Sequence, residues 1–399
     1  MKGSDYIRGK HAELAFVTTN SVSQGEHVSL MFPMIFAQGI EIDFAYTSFK
    51  WENNARRNAG VTVAVIGLRN ESSEPKYIYT DDLKIVAENI NGYLSDGSNV
   101  CIAKRTKPIS DIPAMSFGSM PNDKGALILT PQEKDQLIEV APESVQFIRK
   151  FLGASEFISG SDRYALWIND QQLHQATAIP EIASRIEEVR ESRSLSNRVS
   201  TKKLAEVPHR FGEVRYKPTD SIIVPSVSSE RREYIPLGYL GPDTVISNLA
   251  FGVYDAEPWV FALLTSRMHM TWTRAVGGQL ETRLRYSNTI VYNNFPVPSL
   301  SNAMKEKLTV AALRVLDVRE YHCEKTLAEL YDPDLMPQDL RDAHAAVDVL
   351  VDSIYSKKSY ETDEQRLSDL FALYEQMSAE EAAKAPVKKP RAPKKAAAK

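Results

Sequence analysis

The sequence predicts three regions of different class in one chain: α/β, then mixed α+β, then all-α. Three observations predict this. The first 70 residues alternate strand, helix, strand and strand. The middle divides short apolar runs with Pro and Gly. The last third holds long segments of helical period. A length of 399 residues suits two to three domains of roughly 150 residues each.

Residues 13–19 (ELAFVTT) read as a short, largely buried strand. After a polar turn, the apolar side chains of residues 25–37 cover most of a short helix, with Pro33 as a kink and Gly39 placed as a C-terminal cap. Residues 40–46 alternate as a strand, and residues 61–68 (VTVAVIGL) form a more continuously apolar one. A strand of that kind needs cover on both faces, as in the interior of an α/β sheet. Three strands are few for such a sheet, so the segment reads as part of a domain. Residues 71–99 are polar and read as loop. Residues 101–130 mix Lys104, Arg105 and Lys107 with Pro and Gly, and residues 163–168 read as a strand. Residues 180–196 are helical, with Pro180 in the first turn and Ile182, Ile186 and Val189 opposite Glu187, Arg190, Glu191 and Arg193. Strand-like pieces follow at 221–227, 233–240 and 244–251. Helices are expected at 302–331, 338–356 and 362–378, the last opened by Thr362 and Gln365 as a capping box, together forming a separate bundle.

Net charge is −4, but residues 384–399 contribute seven positive charges and no acid, leaving −11 on the rest. A uniformly basic nucleic-acid coat is excluded, although a local basic cleft is not. Cys101 and Cys323 lie far apart, which supports no disulfide framework and no multi-cysteine zinc site. The amino terminus lacks the apolar stretch of a signal peptide, and no segment has the roughly 20 uncharged apolar residues of a membrane helix. A cytoplasmic protein is expected. The Ala, Pro and Lys tail cannot fold alone.

Most catalytic cassettes are missing. The chain has no G-x-G, no G-x-x-x-x-G-K-[ST] and no G-x-S-x-G, and its seven histidines show no metal-binding spacing. Asp43 with Glu74, Pro75 and Lys76 superficially offers the carboxylates and lysine of a metal-dependent nuclease. Pro75 argues against the strand that would align them. No metal is expected.

Three runs are distinctive. Phe16 to Glu26 reads FVTTNS-x-x-QGE, and Phe49 to Arg56 reads FKW-x-NNAR. Arg274 to Gly278 and Glu281 to Ser287 then lead into Tyr292 to Pro298, YNNFPVP. Taken together these resemble the family of large DNA adenine methyltransferases typified by the MmeI restriction-modification enzymes. The resemblance implies a partial Rossmann-like methyltransferase sheet, the later part of a class I methyltransferase domain, at residues 1–75. It implies an α+β target recognition domain at 100–298 and a C-terminal helical domain at 299–380, and composition leaves 381–399 as a disordered basic tail.

The resemblance also implies a reaction: methyl transfer from S-adenosylmethionine to the N6 of an adenine flipped out of duplex DNA. In that family a glycine-rich loop holds the cofactor and an Asn-Pro-Pro-aromatic motif holds the target base. This sequence has neither, so the expected partners are double-stranded DNA and an upstream-encoded catalytic half or subunit that binds most of the cofactor. Alone, the chain is expected to be inactive. It reads either as the C-terminal portion of a split enzyme, as a non-enzymatic specificity subunit acting in trans, or as an inactive remnant.

Phe49 and Trp51 fall where the family places an aromatic against the flipped base, and alternation puts them on one face; the alternative is a pair of core aromatics at a strand end. Asn53 and Asn54 serve equally well as turn residues. Arg274, Glu281, Arg283 and Arg285 are the base-reading candidates, because Arg bonds guanine O6 and N7 bidentately and Glu accepts from cytosine N4. The competing explanation is an exposed strand face laced with ion pairs. Lys104, Arg105 and Lys107 either contact phosphates or decorate a solvated loop.

Overall fold

The structure is a computed structural model that describes residues 1–51, 61–80, 83–280 and 282–384. Asn53, Asn54, Glu281 and the tail from residue 385 lie outside the described residues. Helix α1 (Lys2–Ile7) and strand β1 (Leu14–Thr19) lead into α2 (Glu26–Phe36), β2 (Ile40–Trp51), β3 (Val61–Asn70), β4 (Lys76–Thr80) and β5 (Leu83–Ala87). Among the described residues these strands form one five-stranded sheet in the order β1-β3-β2-β4-β5. β3 runs antiparallel to both β1 and β2, so those two strands share a direction, and β4 lies parallel to β2.

β4 and β5 occupy a segment expected to be loop. Their polar composition hides a period of two: Ile78 and Ala87 turn into the core while Tyr77, Tyr79 and Lys84 point the other way. The covered face of the sheet carries Ile42, Ala64, Ile66 and Leu68, against which α2 packs Val28, Phe32 and Ile35. α2 holds Pro33 internally, and Gly39 just beyond it adopts φ +71°, a conformation that favours glycine. β1 departs from the expectation of a buried strand. It is an edge, and most of its residues are exposed.

The middle region builds three further sheets. Strands β6 (Met115–Phe117), β7 (Ile128–Leu129), β8 (Ile148–Leu152), β9 (Tyr164–Leu166), β10 (Ser221–Pro225), β11 (Val227–Ser228), β12 (Gly238–Leu240), β13 (Thr244–Ile246), β14 (Ala250–Tyr254), β15 (Gly278–Leu280) and β16 (Arg283–Arg285) assort as β12-β10-β14-β6, β13-β8-β9-β7 and β11-β16-β15. The single strand expected at 244–251 is two strands in different sheets, because the chain turns at Ser247. Helix α3 (Pro180–Ser194) starts at Pro180 as expected. Arg193, assigned by pattern to its polar face, is instead buried. Its guanidinium donates to the carbonyls of Pro121, Asn122, Leu204, Val207 and Arg210, so five acceptors offset the burial of one charge.

Helices α4 (Pro258–Leu264) and α5 (Arg267–Val276) close the middle region. α6 (Asn302–Tyr321), α7 (Gln338–Tyr355) and α8 (Asp363–Lys384) follow. The expected helix at 302–331 stops at Tyr321, and residues 381–384, expected in the tail, continue α8. At the start of α8, Thr362 Oγ1 accepts from Gln365 N, while the Gln365 side chain reaches the amide of Glu361 rather than that of Thr362.

These helices were expected to form a separate bundle, but their core is continuous with that of the middle region. Trp272 on α5 meets Phe371 and Tyr374 on α8 at ring distances of 5.9 and 6.0 Å. Phe371→Ala is therefore expected to cost about 3–5 kcal/mol, and to lower the unfolding transition of both regions together in denaturant titrations followed by tryptophan fluorescence.

His269 and His344 are buried in this joint core, bonded to the hydroxyls of Tyr286 (2.9 Å) and Tyr331 (2.8 Å). Burial holds the pKa of His269 down to about 3, from an ordinary value of 6.5, and that of His344 well below its ordinary value. A depressed histidine stabilises the fold fully above the unfolded value, and that contribution is lost as pH falls from 6.5 toward 3. Melting temperature is expected to drop across this window, and His269→Gln to flatten the drop.

Candidate nucleic-acid interface

Gly277 ends α5 with its amide on the Thr273 carbonyl at 3.0 Å; an added Cβ would sit 2.4 Å from that same oxygen, so only glycine makes this turn. The chain then enters the β15–β16 hairpin. β16 pairs with β15 on one side and β11 on the other. In β16, Leu284 is buried in the core while Arg283 and Arg285 on either side of it are exposed. The two arginines therefore share the outward face, as the period of two requires. Glu281 lies outside the described residues. Arg274 is exposed but sits in the last turn of α5, apart from the strand, and donates to the Arg232 carbonyl at 3.0 Å.

The inward face of the hairpin ties it to the first sheet. Gln279 pairs with Leu284 in the ladder, and its Oε1 accepts from Asn20 Nδ2 at 2.7 Å. Asn20 directly follows β1. Thr19 of β1 and Phe49 of β2 both register with Val63, so the carboxyl ends of β1 and β2 lie at one end of the sheet. That end meets the hairpin. Ligands in α/β sheets bind at the carboxyl ends of the strands.

Phe49 and Trp51 stand at this end of β2. They register with Val63 and Val61, which puts both on one face of the sheet, with ring centroids 6.3 Å apart and 40° between planes. They are 39% and 44% exposed, so neither is a core aromatic.

The YNNFPVP run does structural work. Asn294 Nδ2 donates to the carbonyls of Ala103, Thr289 and Ile290, and Asn293 Nδ2 to that of Arg105. With Arg105 N on the Thr289 carbonyl at 3.0 Å, these bonds fasten the basic segment beside the chain leaving β16. Within it Lys104 pairs with Glu26 at 2.6 Å and Arg105 with Glu381 at 2.5 Å, so both also link regions, while Lys107 is exposed. Pairing with exposed carboxylates is weak and exchangeable with other anions.

The residues of the nuclease alternative are tied into other pairs. Asp43 is paired with Arg69 at 2.6 Å and Lys76 with Glu41 at 3.0 Å, and β4 begins only after Pro75, so Glu74 is not on a strand with Lys76. Among the described residues no group of three or more His, Cys, Asp or Glu could hold a metal ion, and no helix is long and apolar enough to cross a membrane.

Sequence reasoning missed the Asn20–Gln279 bond. It joins residues 259 positions apart, and no local periodicity links them.

Three family profiles match successive parts of the chain: the MmeI DNA-methyltransferase domain at residues 1–80, the MmeI target recognition domain at 96–299 and the MmeI C-terminal domain at 300–381. The chain is 45% identical over 377 residues to DNA methyltransferase A of Bacillus subtilis (strain 168), covering 94% of this chain and 43% of that protein. It is also similar to the structure of the Type IIL restriction-modification enzyme MmeI in complex with DNA, with 38% identity and a TM-score of 0.85 over 95% of this chain and 51% of that one. The chain thus spans about half the length of these relatives.

Proposed function

The chain belongs to the MmeI family, and on that premise we propose that it supplies target recognition and part of the flipped-base pocket for S-adenosylmethionine-dependent adenine-N6 methylation of duplex DNA, in a restriction-modification or related defence system of the cytoplasm. The observation that carries this reading is one junction. The hairpin whose second strand presents Arg283 and Arg285 outward is bonded from its first strand, through Gln279 and Asn20, to the sheet end that bears Phe49 and Trp51. The arginine strand and the two aromatics are thus held in one frame.

Arg283 and Arg285 take guanine edges in the major groove, with Glu281 accepting from cytosine and Arg274 contributing from the helix end. Lys104, Arg105 and Lys107 meet phosphates and set register. Phe49 and Trp51 stack on the extruded base.

The residues present do not fit a cofactor cradle. No G-x-G occurs, and the turn after β1 is already satisfied, with the Asn20 side chain on Gln279 and Ser23 Oγ on the Asn20 carbonyl. S-adenosylmethionine is therefore assigned to a catalytic half that works with this chain.

Selection from a random pool of duplex oligonucleotides by the purified chain tests the reading. Enrichment of one short site is the expected result, and binding of equal strength to all sequences would contradict it.

A further inference from the structure

We propose that the contact between the β1–α2 turn and β15 is a spacer, which fixes how many base pairs separate the bases that are read from the base that is extruded. Asn20 and Gln279 are its positioning residues. The proposal rests on the proposed function and deepens it, since it states what selects one adenine among the neighbours of the recognised bases.

The contact has two parts, on successive residues of β15. Asn20 Nδ2 donates to Gln279 Oε1 at 2.7 Å, and Asn20 is only 8% exposed, which shields its end of the bond from water. Ser23 Oγ donates to the Asn20 carbonyl at 3.0 Å and closes the turn behind it. A Cβ on Gly25 would lie 3.9 Å from the nitrogen and Cα of Gly278, so the two backbones meet with no side chain between them.

From this contact a short path leads each way. Toward the readers, Gln279 is followed by Leu280, which registers with Arg283. The hairpin keeps its own shape, because β11 pairs with β16 and Thr282 Oγ1 donates to Glu230 at 2.9 Å. Toward the aromatics, Thr19 precedes Asn20 and registers with Val63, which in turn registers with Phe49 on the open face of the sheet, opposite α2. Two strand spacings of about 4.8 Å therefore separate Thr19 from Phe49. Every other step of this path is a neighbouring residue or a rung of a β-ladder.

Duplex DNA rises about 3.4 Å per base pair, so presenting the next base requires hairpin and aromatics to shift by that distance. Strands in a ladder do not slide so far without losing their register. A shift of that size also breaks the Asn20–Gln279 bond, and while the bond holds the shift is excluded. The weakest step of the path is the one that sets the spacing.

The test uses the full chain and the duplex that it selects from a random pool. p-Benzoylphenylalanine in place of Phe49 reports, by photo-crosslinking, the nucleotide beside the aromatic pair. Crosslinks are expected at one nucleotide, a fixed distance from the selected bases. With Gln279→Ala they should spread to neighbouring nucleotides, the main position losing roughly half of its share or more, while the selected bases stay the same and affinity falls less than about tenfold, the upper range for one neutral hydrogen bond. Asn20→Ala should do the same. Exchanging the two residues, Asn20→Gln with Gln279→Asn, conserves donor, acceptor and summed length and should return the crosslinks to one nucleotide. Circular dichroism confirms that each variant is folded.

The proposal is overturned if Gln279→Ala leaves the crosslinks as sharply placed as before, if the exchange fails to restore the position, or if the crosslinks prefer no nucleotide with both residues intact. Unblurred crosslinks on an unchanged site refute the spacer alone. Failure of the intact chain to select any site refutes the proposed function, and the spacer with it.

Discussion

Arg283→Ala and Arg285→Ala are each expected to remove discrimination at one base pair of the selected site while leaving binding to unrelated DNA nearly unchanged. A bidentate arginine–guanine contact is worth about 1–3 kcal/mol against the wrong base, which is roughly fivefold to more than a hundredfold in relative affinity. The structural basis is the alternation in β16. Leu284 between them anchors the strand in the core, and both arginines are exposed. Competition binding with single-base variants of the site is the measurement. If either substitution weakens all sequences equally, that arginine contacts phosphate and is not a reader; the salt slope, shallower by about one unit for a lost phosphate contact, separates the two cases.

The second large effect concerns Phe49 and Trp51. Each ring stacked on a base contributes about 1–3 kcal/mol. Replacing both with Ala is therefore expected to abolish extrusion of the target adenine in the complex with the catalytic half. A fluorescent adenine analogue at the target position should brighten on binding the wild-type complex and stay dim with Phe49→Ala/Trp51→Ala. The site selected from random DNA should not change, since the proposed readers Arg283 and Arg285 sit on the hairpin. Because both side chains are exposed and lie on the open face of the sheet, their removal leaves the core intact. A double variant that extrudes the base normally would return these residues to surface aromatics.

Much of the fold was legible because periodicity reports burial. The helices at 26–36, 180–194 and 338–355 and the strand at 61–70 each present a local repeat that the structure preserves. β4 and β5 were not legible, since Tyr77, Tyr79 and Lys84 on the open face raised the polarity of strands whose other face buries only Ile78 and Ala87. The apolar run Leu14 to Val17 suggested burial, yet it lies at an edge; composition cannot say which strands have neighbours. Arg193 was placed outside by helical pattern, but the acceptors that bury it come from loops around residues 121–122 and 204–210.

The candidate site divides in the same way. The facing of Phe49 with Trp51 and of Arg283 with Arg285 follows from alternation alone. The place of Arg274 in the last turn of a helix does not follow from alternation and comes from the structure. The role of Asn293 and Asn294 as fasteners of the basic segment, and the Asn20–Gln279 bond that joins the two halves of the site, depend on contacts across more than 180 residues and only the structure supplies them.

The most direct test of the central claim is transfer of a labelled methyl group from S-adenosylmethionine to duplex DNA containing the selected site. The assay compares the chain alone, the catalytic half alone, and the two mixed. The account predicts labelled N6-methyladenine within the site from the mixture only. Methyl transfer by the chain alone, or label on cytosine or outside the site, would contradict it.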